Sequence, residues 1–549
     1  MGKWTRRGFI VAGTAAGGAL VVGVVIRPGH RTPELAPLVT GDAEALINTF
    51  VKVGLDDTVT AIVPHSEMGQ GVGTALAQML ADEMDADWDR VRIMEAPAVP
   101  EYANYALAKG YLLGDMDIPE ILLPTVDGAF IKLTAAMDLQ ITGGSSSIRA
   151  TGVYGMRVAG AAAREMLVSV AAGQWDVAAA DLEASDGVIT HASSGRSAKF
   201  SELAAAAGRL TPPVKPRLKR VDEFRIMGRP KARLDIPEKV DGSAQFSIDA
   251  SVPGMKYAAL RSSPVFGGTV TSLNDTTAKK MPGVVGVLNL GEAVAVVADG
   301  YWQAEQALAR VEVQFDDAHA RAVNQTGIFE QFQADLANGE GNSDRVRGDA
   351  ATAFGEAVNL VEAEYRVPYL AHACMEPLNA TARIDNGLCE VWVGSQNPLG
   401  FRAEVAKALD MPAEQVKVYN HYMGGGFGRK SMGDYAVFAA RIAREVGQPV
   451  KLIYSREEDI RQDRYRPAVV SRFKAALDES GRPIAWQNHF VDKHEPAEAT
   501  HVPYQIANLD IRDFSSPTHV PFGPWRSVDH SQHSFFTESF IDELANASG

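Results

Sequence analysis

The densest chemical signal in the sequence is Gly424-Gly425-Gly426-Phe427-Gly428-Arg429-Lys430. Consecutive glycines let a backbone approach a ligand closely and adopt conformations closed to other residues. The run falls between an expected strand and an expected helix, where main-chain amides can cradle a phosphate or a polar ring. Arg429 and Lys430 add positive charge. It is not a Walker loop, because Arg429 separates the last glycine from Lys430. A structural glycine turn is the competing reading. The segment Glu67-Met68-Gly69-Gln70-Gly71-Val72-Gly73 also follows a strand and opens a helix. It departs from the dinucleotide-binding fingerprint, whose third glycine is displaced, with Thr74 in its place. Gln70, between two glycines, is placed to donate an amide to a ligand.

Three further segments are candidates: Gly143-Gly144-Ser145-Ser146-Ser147, Ser395-Gln396-Asn397-Pro398, and Pro521-Phe522-Gly523-Pro524-Trp525-Arg526-Ser527. Taken alone they read as a flexible loop, a cap with a turn, and an arginine that faces a pocket or packs on the surface. The twelve histidines show no zincin spacing. His530 and His533 lie one helical turn apart without a third ligand nearby and read as core or surface residues. No Gly-x-Ser-x-Gly elbow supports a serine hydrolase.

The elements that must position these residues are legible in outline. A chain of 549 residues is too long for one simple core. A formal charge of -15 argues against nucleic acid and against an anionic membrane surface as partners. Cys374 and Cys389 are the only cysteines, too few for an iron-sulfur cluster, which needs about four ligands. Asn386-Gly387 reads as a two-residue hairpin turn that sets Cys389 opposite Ile384 and leaves Cys374 outside the pairing. Two buried free thiols are therefore expected.

Thr58–Pro64 alternates and is β-branched, which predicts a strand. Thr74–Met84 has helical spacing, with Leu76, Met79, Leu80 and Met84 on one face. A second helix is expected over Val153–Ala171. The Pro-rich Thr211–Pro216 ends the first unit, residues 38–210. A small α+β unit, residues 226–317, carries one helix, Tyr301–Arg310, and Ala318–Ala357 reads as a polar connection or partly helical loop. The third unit, residues 359–549, alternates strands (Cys389–Val393, Val416–Tyr419, Val450–Tyr454) with helices (Pro398–Leu409, Asp434–Val446, Ser531–Ala547). At the N-terminus, Arg6-Arg7 precede the uncharged run Phe9–Ile26, which marks residues 1–37 as a twin-arginine export signal and linker. No small-x-small cleavage site follows. The expectation is a periplasmic protein, tethered to the membrane if the segment stays uncleaved.

Together the Met-Gly-Gln-Gly segment, the serine loop, Gln396, Gly424–Gly428 and Trp525-Arg526 resemble the molybdopterin-binding subunit of the xanthine dehydrogenase family. The order, with Met-Gly-Gln-Gly first, resembles the permuted branch of isoquinoline 1-oxidoreductase beta subunits and related aldehyde dehydrogenases. The resemblance implies a mixed α+β and α/β multidomain fold. Its molybdopterin-binding domains would stand in permuted order, with an α/β hammerhead domain over 226–317. It implies that Gly425, Gly426, Phe427 and Gly428 approach the molybdenum and pterin, and that Gln396 lies near the metal's apical position. Gly69, Gln70, Gly71, Ser145, Ser146 and Ser147 would hold the pterin and its dinucleotide phosphates, the cytosine form, and Arg526 would line the substrate pocket. No side chain would bind the metal directly.

The implied activity is hydroxylation of an aldehyde or N-heteroaromatic substrate with water as oxygen source. Electrons would pass to a separate [2Fe-2S] subunit, as the cysteine count independently requires, and onward to a cytochrome c. Ser431 stands where xanthine-type members carry a pocket glutamate, which disfavours a purine substrate. The chain also ends before the Gly-x-Gly-Glu segment that carries the family's general-base glutamate, so a truncated product is expected. The rival readings are an inactive cofactor-binding scaffold and an exported small-molecule binding protein.

Overall fold

The computed structural model describes residues 31–116, 118–492 and 500–549, and the expected export segment lies outside them. Among the described residues no helix is long and apolar enough to cross a membrane. The chain divides into two compact units. One takes in residues up to Ser66, Gly71–Ile141 and Ser145–Ser243; the other comprises Glu67–Gln70, Thr142–Gly144 and Ala244–Gly549.

The first unit is built on a four-stranded sheet: Glu44–Asn48, Val51–Gly54, Val59–Val63 and Val91–Glu95. Every residue of Val59–Val63 is buried, as its β-branched content predicts. It pairs in parallel with Val91–Glu95, so the connection must cross over, and the helix Val72–Met84 makes that crossover. Leu76, Leu80 and Met84, spaced by four, are fully buried. A second helix, Arg157–Trp175, crosses it at Gly160, where a Cβ would fall 2.2 Å from the Leu80 carbonyl oxygen. The expected Val153–Ala171 helix is thus real, but it is entered through a π-helical segment, Ser147–Met156. Beyond the Pro-rich stretch, the chain is fastened back onto this unit. Lys219 ion-pairs with Asp82 at 3.0 Å and Asp85 at 2.6 Å, and the amides of Ile226 and Met227 donate to Asp82. The compact division accordingly falls at Ser243, after this strap.

The second unit holds a seven-stranded sheet. Its order is Val284–Asn289, Ala293–Ala298, Lys256–Ser262, Val450–Ile453, Asn379–Asp385, Leu388–Val393, Val416–Asn420. Strands from the expected hammerhead region and from the expected third unit therefore share one sheet, joined where Lys256–Ser262 runs parallel to Val450–Ile453. The Asn386-Gly387 turn has both residues at positive φ, 48° and 78°, and sets Cys389 opposite Ile384 as expected. Both thiols are buried and free. The helices Pro398–Leu409 and Asp434–Val446 have the expected bounds.

A five-stranded sheet follows, in the order Asn342–Arg347, Asn508–Phe514, Pro483–Val491, Val469–Leu477, Asn359–Val367. The helix His530–Ser548 packs Phe536, Phe540 and Leu544 onto it, against Phe473 and Trp486. The polar Ala318–Ala357 stretch is more ordered than its composition suggests. It contains the helix Gln325–Asn338 and the edge strand Asn342–Arg347, whose Asn-Ser-Asp-Arg-Val-Arg sequence faces water and has no apolar alternation to betray it.

Candidate cofactor-binding site

The glycine loop belongs to the second unit, which also takes in Glu67–Gln70 and Thr142–Gly144. Its backbone is unusual. Gly425, Phe427 and Gly428 have φ of 96°, 55° and 112°. Among the described residues the amides of Gly425, Gly426 and Phe427 donate to no protein acceptor. Successive unpaired amides in such a turn make an anion-binding concavity.

Glycine is required here for space as well as for conformation. A Cβ on Gly428 would fall 1.9 Å from the Pro524 carbonyl oxygen, and one on Gly426 would fall 2.5 Å from Gln396 Oε1 and 3.1 Å from Met68 Sδ. Gln396 therefore packs directly against the loop, and its orientation is fixed. Its Oε1 accepts from the Gly428 amide at 3.0 Å and its Nε2 donates to Thr142 O at 3.1 Å. A carboxamide nitrogen carries two hydrogens, so the second remains for a ligand. The main chain of Gln396 is held as firmly, by Lys430 O and by the Thr142 amide, each at 2.7 Å.

Arg429 and Lys430, read from sequence as charge for a ligand, are instead buried and engaged within the protein. Arg429 makes a two-pronged ion pair with Asp434, both contacts at 2.8 Å, and its Nε lies 3.1 Å from Asp463. Lys430 donates to Glu376 at 2.6 Å. Burial would raise the Asp434, Asp463 and Glu376 carboxyls, but their partners outweigh it, and all three titrate below the ordinary carboxylate range. Arg429 lowers Asp434, His372 and Arg429 lower Asp463, and Lys430 lowers Glu376. Burial pushes the Cys374 thiol up to about 11, so it is protonated at neutral pH.

Asp463 also carries the other wall. It accepts from both the main-chain amide and Nδ1 of His372. His372 Nε2 lies 2.8 Å from Pro524 O, and its ring packs on Trp525 with centroids 4.4 Å apart. This network holds the Pro524-Trp525 segment against Gly428 and leaves Arg526 exposed beside it. Ser431 turns inward, its hydroxyl donating to Gly428 O at 2.7 Å.

The remaining expected residues divide between the two units. Gly69 and Gln70 are exposed in the second, where Gln70 Oε1 accepts from the Met68 amide at 2.8 Å. Gly71 is in the first, at φ 81°, and caps the helix Val72–Met84. Ser145, Ser146 and Ser147 are also there: Ser145 is exposed, Ser146 half-buried, and Ser147 fully buried with its hydroxyl unpartnered. The two histidines His530 and His533 are not a pair of ligands. His533 is buried against Phe490 with Asp492 at 3.2 Å, and His530 faces solvent. Thr142, His372, Glu376 and Asp463 were not found from sequence, because each reaches the loop from a distant segment and none sits in a recognisable local pattern. Among the described residues no three His, Cys, Asp or Glu side chains form a cluster that could hold a metal ion.

Residues 333–549 match the molybdopterin cofactor-binding domain family. The chain is 30% identical over 531 residues to the isoquinoline 1-oxidoreductase subunit beta of Brevundimonas diminuta, covering 89% of this chain and 64% of that one. It is 28% identical over 587 residues to the membrane-bound aldehyde dehydrogenase [pyrroloquinoline-quinone] of Gluconacetobacter polyoxogenes, covering 99% of this chain and 70% of that one. Among solved structures, quinoline 2-oxidoreductase from Pseudomonas putida 86 aligns with a TM-score of 0.48 at 19% identity, over 57% of this chain and 48% of that one. The chain thus spans less than two thirds of the isoquinoline relative's length. On these matches, residues 333–549 carry a molybdopterin cofactor-binding domain, and the chain is similar over most of its length to large subunits of molybdopterin-dependent oxidoreductases.

Proposed function

We propose that this chain is the molybdenum-cofactor-binding subunit of an oxidoreductase that hydroxylates an aldehyde or N-heteroaromatic substrate and passes the electrons to a separate [2Fe-2S] subunit. The observation that carries the reading is the loop Gly424–Gly428, with three unpaired amides and two glycines that tolerate no Cβ. These features fit the implied cofactor: oriented amides suit an anionic ligand, and the missing Cβ atoms let it approach the backbone.

When bound, the molybdenum cofactor supplies a two-electron acceptor for a hydroxylation that takes its oxygen from water. The chain's own contribution is recognition and orientation. The Gly425, Gly426 and Phe427 amides donate to the cofactor's anionic ligands. Gln396, locked between Gly428 and Thr142, presents its second N–H to the same place. Because Arg429 and Lys430 are engaged by carboxylates, this recognition is by neutral donors, whose orientation is set by the fold. Gly69, Gln70, Gly71 and Ser145–Ser147 hold the pterin and a cytosine dinucleotide extension, with the Ser147 hydroxyl as a buried donor in want of an acceptor. Arg526, exposed next to the braced Trp525, meets the substrate. The reading extends to export by the twin-arginine route, a periplasmic site of action and a cytochrome c as final acceptor.

The test is to purify the protein with its co-expressed iron-sulfur partner and measure molybdenum and pterin, then turnover with aldehydes and N-heteroaromatics in ¹⁸O-labelled water. About one molybdenum per chain and ¹⁸O in the product are expected. An assembly that contains neither molybdenum nor pterin refutes the proposal.

A further inference from the structure

Glu376 contacts several separate segments around the glycine loop. Its Oε2 accepts from the Gly424 amide at 2.9 Å and from Lys430 Nζ at 2.6 Å. Its Oε1 accepts from the Ile248 amide at 3.0 Å and from Asn379 Nδ2 at 3.2 Å. Its own amide donates back to Gly424 O at 3.1 Å. One carboxylate therefore holds the first residue of the loop and the side chain of Lys430 just past its end, while among the described residues the Gly425, Gly426 and Phe427 amides between them donate to no protein acceptor. Both partners are buried, Glu376 at 7% exposure and Lys430 at 1%.

Every group facing Glu376 is a donor, and each of its oxygens receives two. A carboxamide offers one acceptor oxygen and one donor nitrogen, so glutamine would set its N–H₂ against either the Gly424 amide or the Ile248 amide. It would also leave Lys430 as an uncompensated buried charge. The chemistry of the pocket thus selects a carboxylate.

We infer that Glu376 is a positioning residue for the cofactor cradle. With Lys430 it closes the loop at both ends and keeps the Gly425, Gly426 and Phe427 amides directed at the ligand instead of collapsing onto protein acceptors. The role rests on the reading proposed above, that the loop receives a molybdenum cofactor. It differs from general stabilisation of the unit, because it predicts loss of cofactor retention out of proportion to loss of fold.

The experiment compares the full chain, co-expressed with its partner, as wild type, Glu376→Gln, the double variant Glu376→Gln/Lys430→Met, and Phe540→Ala. The last weakens a distant core between Phe473 and Trp486 and serves as the stability control. Molybdenum and pterin per folded chain are measured beside trypsin cleavage after Arg429 and Lys430 under native conditions. Glu376→Gln is expected to retain at most a tenth of the wild-type cofactor and to be cut after Arg429 or Lys430 at least ten times faster. The double variant, freed of the unpaired cation, should regain protection against trypsin in part but not its cofactor. Phe540→Ala should lose thermal stability yet keep both its cofactor and its resistance to cleavage after Arg429 and Lys430. Equal loading and equal resistance in Glu376→Gln and wild type would overturn the inference. If the wild type carries no molybdenum or pterin, the proposed function fails, while the proteolysis still decides whether Glu376 clamps the loop.

Discussion

Two glycine turns in the second unit approach the same problem with different means. Gly424–Gly428 is fixed on every side: Glu376 and Lys430 close its ends, Gln396 caps its middle, and Pro524 covers Gly428. Glu67–Gln70 is less crowded. Its exposed Gly69 donates to Glu67 Oε1 at 2.9 Å, Gln70 Oε1 accepts from the Met68 amide, and a Cβ on Gly69 would meet nothing within 4 Å. The first turn is pre-organised by buried charge and spends none of its conformational freedom when a ligand arrives. The second is exposed at Gly69 and Gln70 and has open space around Gly69.

Substitution of the two turns should separate them sharply. Gly428→Ala sets a methyl group on the Pro524 carbonyl at a φ of 112°, so a loss of at least about 3 kcal/mol of stability is expected, with activity down more than about 100-fold. Gly69→Ala, at a similar φ but in open space, should cost only about 1–2 kcal/mol. Chemical denaturation of the two variants gives the comparison directly, and equal costs would remove the distinction.

The bracing network offers a second, somewhat smaller contrast. Asp463→Asn leaves Arg429 and His372 facing a group without full charge, and a cost of about 3 kcal/mol is expected. Gln70→Ala, at the surface, should change stability by less than about 0.5 kcal/mol while weakening cofactor retention. Acid acts on the two units by different groups. In the second, the Asp434, Asp463 and Glu376 carboxyls sit below their ordinary values; their contribution is complete above the ordinary carboxylate range and is lost as the pH falls through their lowered values. In the first, burial holds His65 at about 3, against 6.5 for the free side chain. The unfolded chain takes up that proton first, so stability should begin to fall below about pH 6.5 and keep falling toward about 3. His65→Gln, which retains a hydrogen-bonding group near Thr151, should flatten that slope in a pH series of thermal melts.

Much of this was legible in the sequence where a local pattern carried the information. The β-branched Val59–Val63, the hairpin at Asn386-Gly387 and the helices Pro398–Leu409 and Asp434–Val446 announce themselves by alternation, turn chemistry or period. The edge strand Asn342–Arg347 does not, because an edge facing water needs no apolar side chains. Gln396 and the glycine loop were found as motifs, and the structure brings them together. Their supports were not, since Glu376 lies 48 residues from Gly424 and Thr142 lies 254 from Gln396, and buried charge pairing leaves no periodic trace. Arg429 and Lys430 were misjudged for the same reason: sequence shows a cation but not the carboxylate that engages it.

The central claim, that Gly424–Gly428 is the cofactor cradle, is tested most directly by the molybdenum and pterin content of Gly426→Val against wild type, each purified with its partner. Valine at this position would crowd Gln396 Oε1 and Met68 Sδ. The account predicts about one cofactor per wild-type chain and less than about a tenth of that in a folded Gly426→Val chain. Equal cofactor content in the two proteins would contradict it.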